Sequence, residues 1–260
     1  MNFDIATIKS HIESAKQCIH DMFETLLSKN TDKDNKRAHL VSYWLKDYSS
    51  YILTEDRFNP ASLIHYKRGN IVQVEFGYRV GSELGGRHYA VVIDNHNDIH
   101  SNTITVVPLK SLKDNYKPNR YSFILQKGVY NIYSDALNRK IIKLGEKMAD
   151  SKKEFEQKIQ EYKDGSLSLD EYTKYLYANN EKADKIMSQI NILKKHMDEL
   201  DNLKIGTVVN VGQIITISKM RISNPKINSD SLYGLKLSRY DLDMLNSKLK
   251  KLYIYNDSKE

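Results

Sequence analysis

Residues 67–111 of this 260-residue chain gather three kinds of side chain that can act on a phosphodiester. A polar, glycine-rich run, Gly81-Ser82-Glu83-Leu84-Gly85-Gly86, is followed by a cation and a titratable ring, Arg87 and His88. Hydroxyls come next, at Ser101, Thr103 and Thr105. Glycine lets a backbone approach a ligand closely, and arginine grips a phosphate with two parallel N–H groups. Histidine, with an ordinary pKa of about 6.5, exchanges protons near neutrality. Metal-free cleavage of RNA needs a base for the 2′-OH, an acid for the departing 5′-oxygen, and donors for the charge building on phosphorus. His88 is the candidate acid or base, Arg87 and Thr103 the candidate phosphate-holding groups. Backbone N–H groups of the 81–86 turn offer further donors. Each residue alone has an ordinary reading: threonine favours strands, and one histidine on a basic surface is usually inert. Their joint placement is what raises the chemical reading.

A second cluster, Asp94-Asn95-His96-Asn97-Asp98-Ile99-His100, has two histidines four apart and two carboxylates. That composition can hold Zn²⁺ or Mn²⁺. A loop rich in Asn and Asp is also what turn chemistry requires, and the turn reading is preferred. No metal or other cofactor is expected, and no Walker or dinucleotide fingerprint is present.

The same stretch resembles the MazF/PemK/Kid family of toxin endoribonucleases. Lys67-Arg68-Gly69 is similar to the family's first strand. Gly81-Ser82-Glu83 with Gly85-Gly86 resembles the loop over its groove, and Ser101-Asn102-Thr103 resembles its S-P-T. Gln213-Ile214-Ile215-Thr216-Ile217 with Arg221 resembles its later strand E-Q-I-R-T-I-D-x-x-R-L. The likeness covers 66–136 and, more weakly, 204–252. It implies Thr103 in catalysis, and Ser82, Glu83, Gly85, Gly86 and Ser101 against substrate. Lys219 and Arg221 are candidate phosphate-binding cations. One departure stands out. The family's arginine follows G-G-x, and here that place holds His88, with Arg87 one residue earlier and Tyr89 where proline follows. Strand side chains alternate faces, so the shift turns Arg87 away. Either His88 takes the proton-transfer role, which is the preferred reading, or a bulge after Gly86 re-aims Arg87, or activity is lost.

Composition bounds the rest. With 40% hydrophobic and 28% charged residues, the chain reads as globular. No run of about 18 apolar residues suggests a membrane span, and the N-terminus lacks a signal-peptide pattern. Cys18, the only cysteine, is expected to pack as a small hydrophobe, and a reducing cytoplasm is the expected compartment. The net charge of +7 is unevenly placed. Residues 66–136 carry nine basic against six acidic residues, and 204–260 ten against five; 137–203 balance at thirteen each. A basic β-rich part suits an anionic partner.

These residues need elements to position them. Ile5, Ile8, Ile12, Ala15, Ile19, Met22, Phe23 and Leu26 recur at helical spacing over 4–29, and Leu40, Trp44, Leu45, Tyr48 and Ile52 repeat it over 33–54. From Lys67 the period is two: strands are expected near 71–76, 89–93, 103–109 and 121–126, and again over 206–217. Between them Tyr172, Leu176, Asn179, Ala183, Ile186, Ile190, Leu193, Met197 and Leu200 form a heptad seam. A matching stripe runs from Leu137 to Tyr162, and Ser168 with Glu171 predicts a capping box. A last helix follows Ser238.

The expected architecture is α+β. An SH3-like small β-barrel of the MazF/Kid/CcdB type is split between 66–136 and 204–254. It carries an N-terminal helical region (1–60) and an inserted antiparallel helical hairpin (137–203). The resemblance implies a ribosome-independent endoribonuclease that cleaves single-stranded RNA, working as a homodimer with an antitoxin protein as partner. Two rivals stay open: a catalytically inactive barrel that binds RNA or protein, and a toxin that poisons a protein target.

Overall fold

The structure, a computed structural model, describes residues 4–254. Two compact units make up the chain: one holds residues up to Asn59 together with Glu75–Arg87, the other Pro60–Val74 and everything from His88 on.

In the first unit, α1 (Ile5–Ser28) starts where the Asp4 carboxylate accepts the Thr7 N–H, and α2 (Asp32–Thr54) where Thr31 accepts the Asp34 N–H. Asn30, at φ 44°, turns the chain between them. The apolar stripe of α1 is buried only at its end, at Leu26; Ile5, Ile12 and Cys18 are exposed. Cys18 therefore does not pack as expected: among the described residues that length of helix is exposed.

The second unit is built on an antiparallel sheet. Its strands are β1 (Ile71–Glu75), β2 (Arg87–Val92), β3 (Thr103–Ser111), β4 (Ser122–Ile124), β5 (Thr207–Asn210), β6 (Ile215–Ser218) and β7 (Ile222–Asn224). Hydrogen bonding runs β4-β5-β3-β2-β1-β7, with β6 also on β3, and the path does not close on itself. The sheet is thus established and a closed barrel is not. β3 is the axis. One edge pairs with β2; the other pairs first with β6 and then with β5. This explains why 206–217 does not form one strand. A 3-10 turn at Val211–Gln213 separates β5 from β6, and there the Gly212 N–H bonds the Tyr121 carbonyl. A Cβ at 212 would stand 2.9 Å from that of Tyr121.

Two long helices, α3 (Val129–Lys163) and α4 (Leu169–Asp201), connect the neighbouring strands β4 and β5. Contacts between them pair early residues of one with late residues of the other: Tyr133 Oη donates to the His196 carbonyl, Phe155 stacks on Tyr175, and Tyr162 on Tyr172. The Ser168–Glu171 capping box opens α4. α3 begins eight residues before Leu137, and its first turns are core. Val129, Tyr133, Leu137 and Leu200 pack in one cluster with Ile71, Val91, Val107 and Leu245. Near that end the seam shifts: His196 is buried and Met197 is exposed. There α4 packs into the β-strand core through Leu193 and Leu200, so the buried face is set by the sheet and not by the seam with α3 alone. α5 (Arg239–Tyr253) is capped by Ser238 and docks through Leu245. Its buried Asp241 also accepts the Gln126 N–H.

Candidate nucleic-acid interface

In the first unit, Glu75–Arg87 closes into a loop. Phe76 N–H bonds the Gly86 carbonyl, and Gly86 N–H bonds the Gly77 carbonyl at 2.7 Å. Glycines at 77, 81 and 86 have positive φ, which L side chains adopt only with strain. The loop is tightly folded at its neck: a Cβ on Gly85 would meet the Gly77 carbonyl oxygen at 2.6 Å. Two of the turn's N–H groups are committed internally, Gly86 to Gly77 and Glu83 to Val80. Ser82 and Glu83 are exposed at the tip. Arg87 is exposed too, with Nε 3.7 Å from the largely buried Glu75 carboxylate. That carboxylate also accepts the Gly77 N–H. Arg79 braces the loop, donating to the Phe76 carbonyl.

α2 faces the same loop within this unit. Tyr43, Trp44 and Asp47 line a cleft together with Tyr78, Arg79 and Arg87, and Arg37 Nε donates to the Tyr78 hydroxyl.

In the second unit, Thr103 opens β3 with its side chain exposed. Its backbone is held on both sides. Its N–H donates to Ser101 Oγ, and its carbonyl accepts from Ser101 Oγ and from the buried Asn97 amide. The Asp94 carboxylate ties the turn together, accepting the Asn97 amide and the Thr105 N–H. Asp98 accepts the His100 N–H. The carboxylates of 94–100 are thus spent on turn hydrogen bonds.

Register sets Thr103 opposite Ser218 and Thr105 opposite Thr216. Alternation places Ile104 and Ile217 in the core and the four hydroxyl residues on the other face. Thr105 and Thr216 touch through their hydroxyls at 3.1 Å. The sequence reading found the β3 half of this face and missed the β6 half, whose Thr216 and Ser218 gain meaning only from the register. At the places of the resembled motif's arginine and aspartate, β6 carries Ile215 and Ser218.

Lys219 and Arg221 lie on the 3-10 turn Lys219–Arg221, whose first N–H bonds the Asn102 carbonyl. Lys219 is 2% exposed and donates its Nζ to the Asp98 carbonyl; burial pulls its pKa below the ordinary lysine value. It is an internal strut for the 94–102 loop rather than a cation offered to solvent. Arg221 is half-buried.

His88 stands elsewhere. In the β2–β3 pair Ala90 faces Pro108 and Val92 faces Val106. Continued, that register sets His88 beside Lys110, roughly 23 Å along the strand from Thr103 at about 3.3 Å per residue. The sheet does not bring the two together within one chain. Besides His96 and His100 of the loop, one more ring lies at the Thr103 end, His65, which the sequence reading overlooked. Its Nε2 is 3.0 Å from the carbonyl of Asn97, the same residue whose amide holds Thr103. An N–H given to that carbonyl leaves Nδ1 as the basic nitrogen.

Residues 67–161 match the family described as PemK-like, MazF-like toxin of type II toxin-antitoxin system. The resemblance read from the loop and from Thr103 holds over those residues, and the match runs on into α3. The weaker likeness over 204–252 lies outside it. A search of curated proteins gives no match.

Proposed function

Taking residues 67–161 as a PemK-like, MazF-like toxin segment, we propose that the chain is a toxin-type, ribosome-independent endoribonuclease that cuts single-stranded RNA by transesterification. The observation that carries the reading is the hydroxyl face of β3 and β6, whose β3 half lies in the segment that matches the toxin family. Thr103, Thr105, Thr216 and Ser218 supply hydrogen-bond donors across one sheet face, as a phosphate backbone requires. Thr103 donates to a phosphoryl oxygen, and Arg221, on the adjoining turn, adds positive charge. His65 is our acid or base for this end, with Nδ1 taking the 2′-OH proton. His88 is assigned to the other end of the strand pair, and Arg87 is kept as a candidate phosphate-holding cation of the 81–86 loop. No metal takes part: the 2′-oxygen attacks phosphorus, the 5′-oxygen leaves with a proton, and the products are a 2′,3′-cyclic phosphate and a 5′-OH.

Two ends of one strand cannot act on one phosphate, so a composite site across a homodimer is part of the proposal: RNA crosses both copies and meets His88 of one and Thr103 of the other. We read the open antiparallel sheet as the family's small SH3-like barrel and α3–α4 as an insertion in it. An antitoxin protein is the expected partner. No helix among the described residues is long and apolar enough to cross a membrane, and the cytoplasm is the proposed compartment.

A second reading is supported by the same strand. The motif's arginine, its aspartate and the arginine of G-G-x-R are replaced by Ile215, Ser218 and His88. A barrel without those charges could bind RNA and leave it whole. The test is incubation of pure protein with mixed-sequence RNA in EDTA, followed by end mapping. Fragments ending in 2′,3′-cyclic phosphate support the nuclease. Retarded but intact RNA supports the binder, and no interaction supports a protein target.

A further inference from the structure

Lys140, Lys143 and Lys147 share one face of α3, since residues three and four apart on a helix are neighbours. They rim a cavity of about 370 Å³ whose facing wall is α4, at Ile192 and Leu193, and whose end is the loop at Asn228 and Ser229. No carboxylate lines it. Among the described residues none of the three ammonium groups forms an ion pair. His196 also lines the cavity. It is 5% exposed, and its Nδ1 has no hydrogen-bond partner. Buried polar atoms are nearly always paired, and each exception calls for an explanation. Here one orphaned nitrogen and three cations without counter-ions meet in a single recess with an apolar wall. The volume falls in the small-molecule range of about 300–1,000 Å³.

We propose that this cavity binds a terminal phosphate group on a molecule of mononucleotide size. The lysines take the phosphate oxygens, His196 Nδ1, once protonated, donates a hydrogen bond to the same group, and the base lies against Ile192 and Leu193. Burial, with Lys140 close by, holds the His196 pKa below its ordinary value. The charges facing the ring are Lys140 from α3, Glu199 from α4, and Asp230 from the loop. A bound dianion offsets the lysines and favours the imidazolium. Binding near pH 7 therefore draws a proton from solvent, and His196 then donates to the phosphate.

The site is independent of the proposed cleavage chemistry. Titration calorimetry on the full chain with adenosine 5′-monophosphate, adenosine and inorganic phosphate tests it. The monophosphate should bind at least about tenfold more tightly than adenosine, with proton uptake seen as a heat that changes with buffer. Replacing Lys140, Lys143 and Lys147 together by alanine should weaken it about tenfold or more, by loss of charge-assisted hydrogen bonds. These side chains are on the surface, so the melting temperature should hold. Two RNA decamers, one with a 5′-phosphate and one with a 5′-hydroxyl, separate the sources: preference for the phosphorylated strand, lost in the triple variant, assigns the group to an RNA end. Equal affinity for nucleotide and nucleoside, wild-type binding by the triple variant, or no heat with any phosphorylated probe would overturn the proposal.

Discussion

Trp44 of α2 lies flat against Gly77: a Cβ at residue 77 would stand 2.6 Å from the indole ring, and Gly77 sits at φ +73°. Two independent constraints therefore demand glycine there, one steric and one conformational. Gly77→Ala should cost about 1–3 kcal/mol from the backbone term alone, plus the displacement of the ring. Trp44 is the only tryptophan, so its fluorescence reports this site directly. In urea melts, Trp44→Leu should recover the steric part of the Gly77→Ala loss and leave the strain. Full additivity of the two substitutions would show that the ring does not press on residue 77 in solution.

Thr103→Val keeps the shape and strand preference of threonine and removes its hydroxyl. If Thr103 serves the phosphate, RNA cleavage should fall about a hundredfold, as for one lost oxyanion donor, with circular dichroism unchanged. Cleavage at the wild-type rate by folded Thr103→Val removes the hydroxyl from the mechanism.

His65→Ala and His88→Ala distinguish the two ends of β3. A positioned acid or base contributes roughly 10²–10⁴, so His65→Ala should lower the rate by about that much. His88→Ala should act strongly only in the dimer, and mixing it with His65→Ala chains should restore one of the two composite sites in each mixed dimer, about a quarter of all sites at equal amounts. A mixture no more active than either parent would sink the composite arrangement.

Lys219→Glu looks like a simple charge reversal and should not behave as one. The side chain is buried, with its Nζ on the Asp98 carbonyl. The substitution strands a buried carboxylate beside that carbonyl and should cost about 3–5 kcal/mol. Lost RNA binding should then follow lost folding in a urea titration. A stable Lys219→Glu protein with weakened, less salt-dependent RNA binding would return the residue to the substrate surface.

Much of this fold was legible because its signals are local. Ser168 and Ser238 each cap a helix from their own side chain, and capping needs only a few neighbouring residues. The glycine-rich loop and Thr103 were legible by type and spacing. What escaped depends on partners far along the chain. Lys219 reads as a surface cation until its distance from Asp98 is known. His65 reads as an ordinary loop histidine until Asn97 joins it to Thr103. Met197 continues the heptad, but at that end α4 packs on the β core, and His196 takes the buried place.

His196 also gives the pH behaviour a sign. Its pKa is lowered in the folded chain by burial and Lys140, so below about pH 6.5 the unfolded state binds more protons than the folded one. Stability should be full above that pH and decline as the pH falls from about 7 towards the lowered folded value. His196→Leu should flatten that decline in melting temperatures measured from pH 8 to 5. An unchanged slope would assign the acid sensitivity to other groups.

The α3–α4 pair should be separable at its outer part and not at its base. Val129, Tyr133, Leu137 and Leu200 pack with β-strand residues in one cluster, and Tyr133 is tied to the His196 carbonyl across the pair. Beyond Leu144 the helices touch chiefly one another, through Phe155 with Tyr175 and Tyr162 with Tyr172. Packed helix axes lie about 8–10 Å apart, a gap that three or four residues of linker can span. Replacing 148–186 by a short Gly-Ser linker should therefore leave a folded chain that keeps the Lys140–Lys143–Lys147 face and His196. Replacing 138–203 removes Leu200 and its neighbours from the core and should destabilise by several kcal/mol, at about 2–5 for each large apolar side chain lost. Calorimetric melting of both shortened chains beside the parent is the measurement. If the longer deletion melts like the parent, the helix base is not core. If the shorter one unfolds, the outer helices stabilise more than each other.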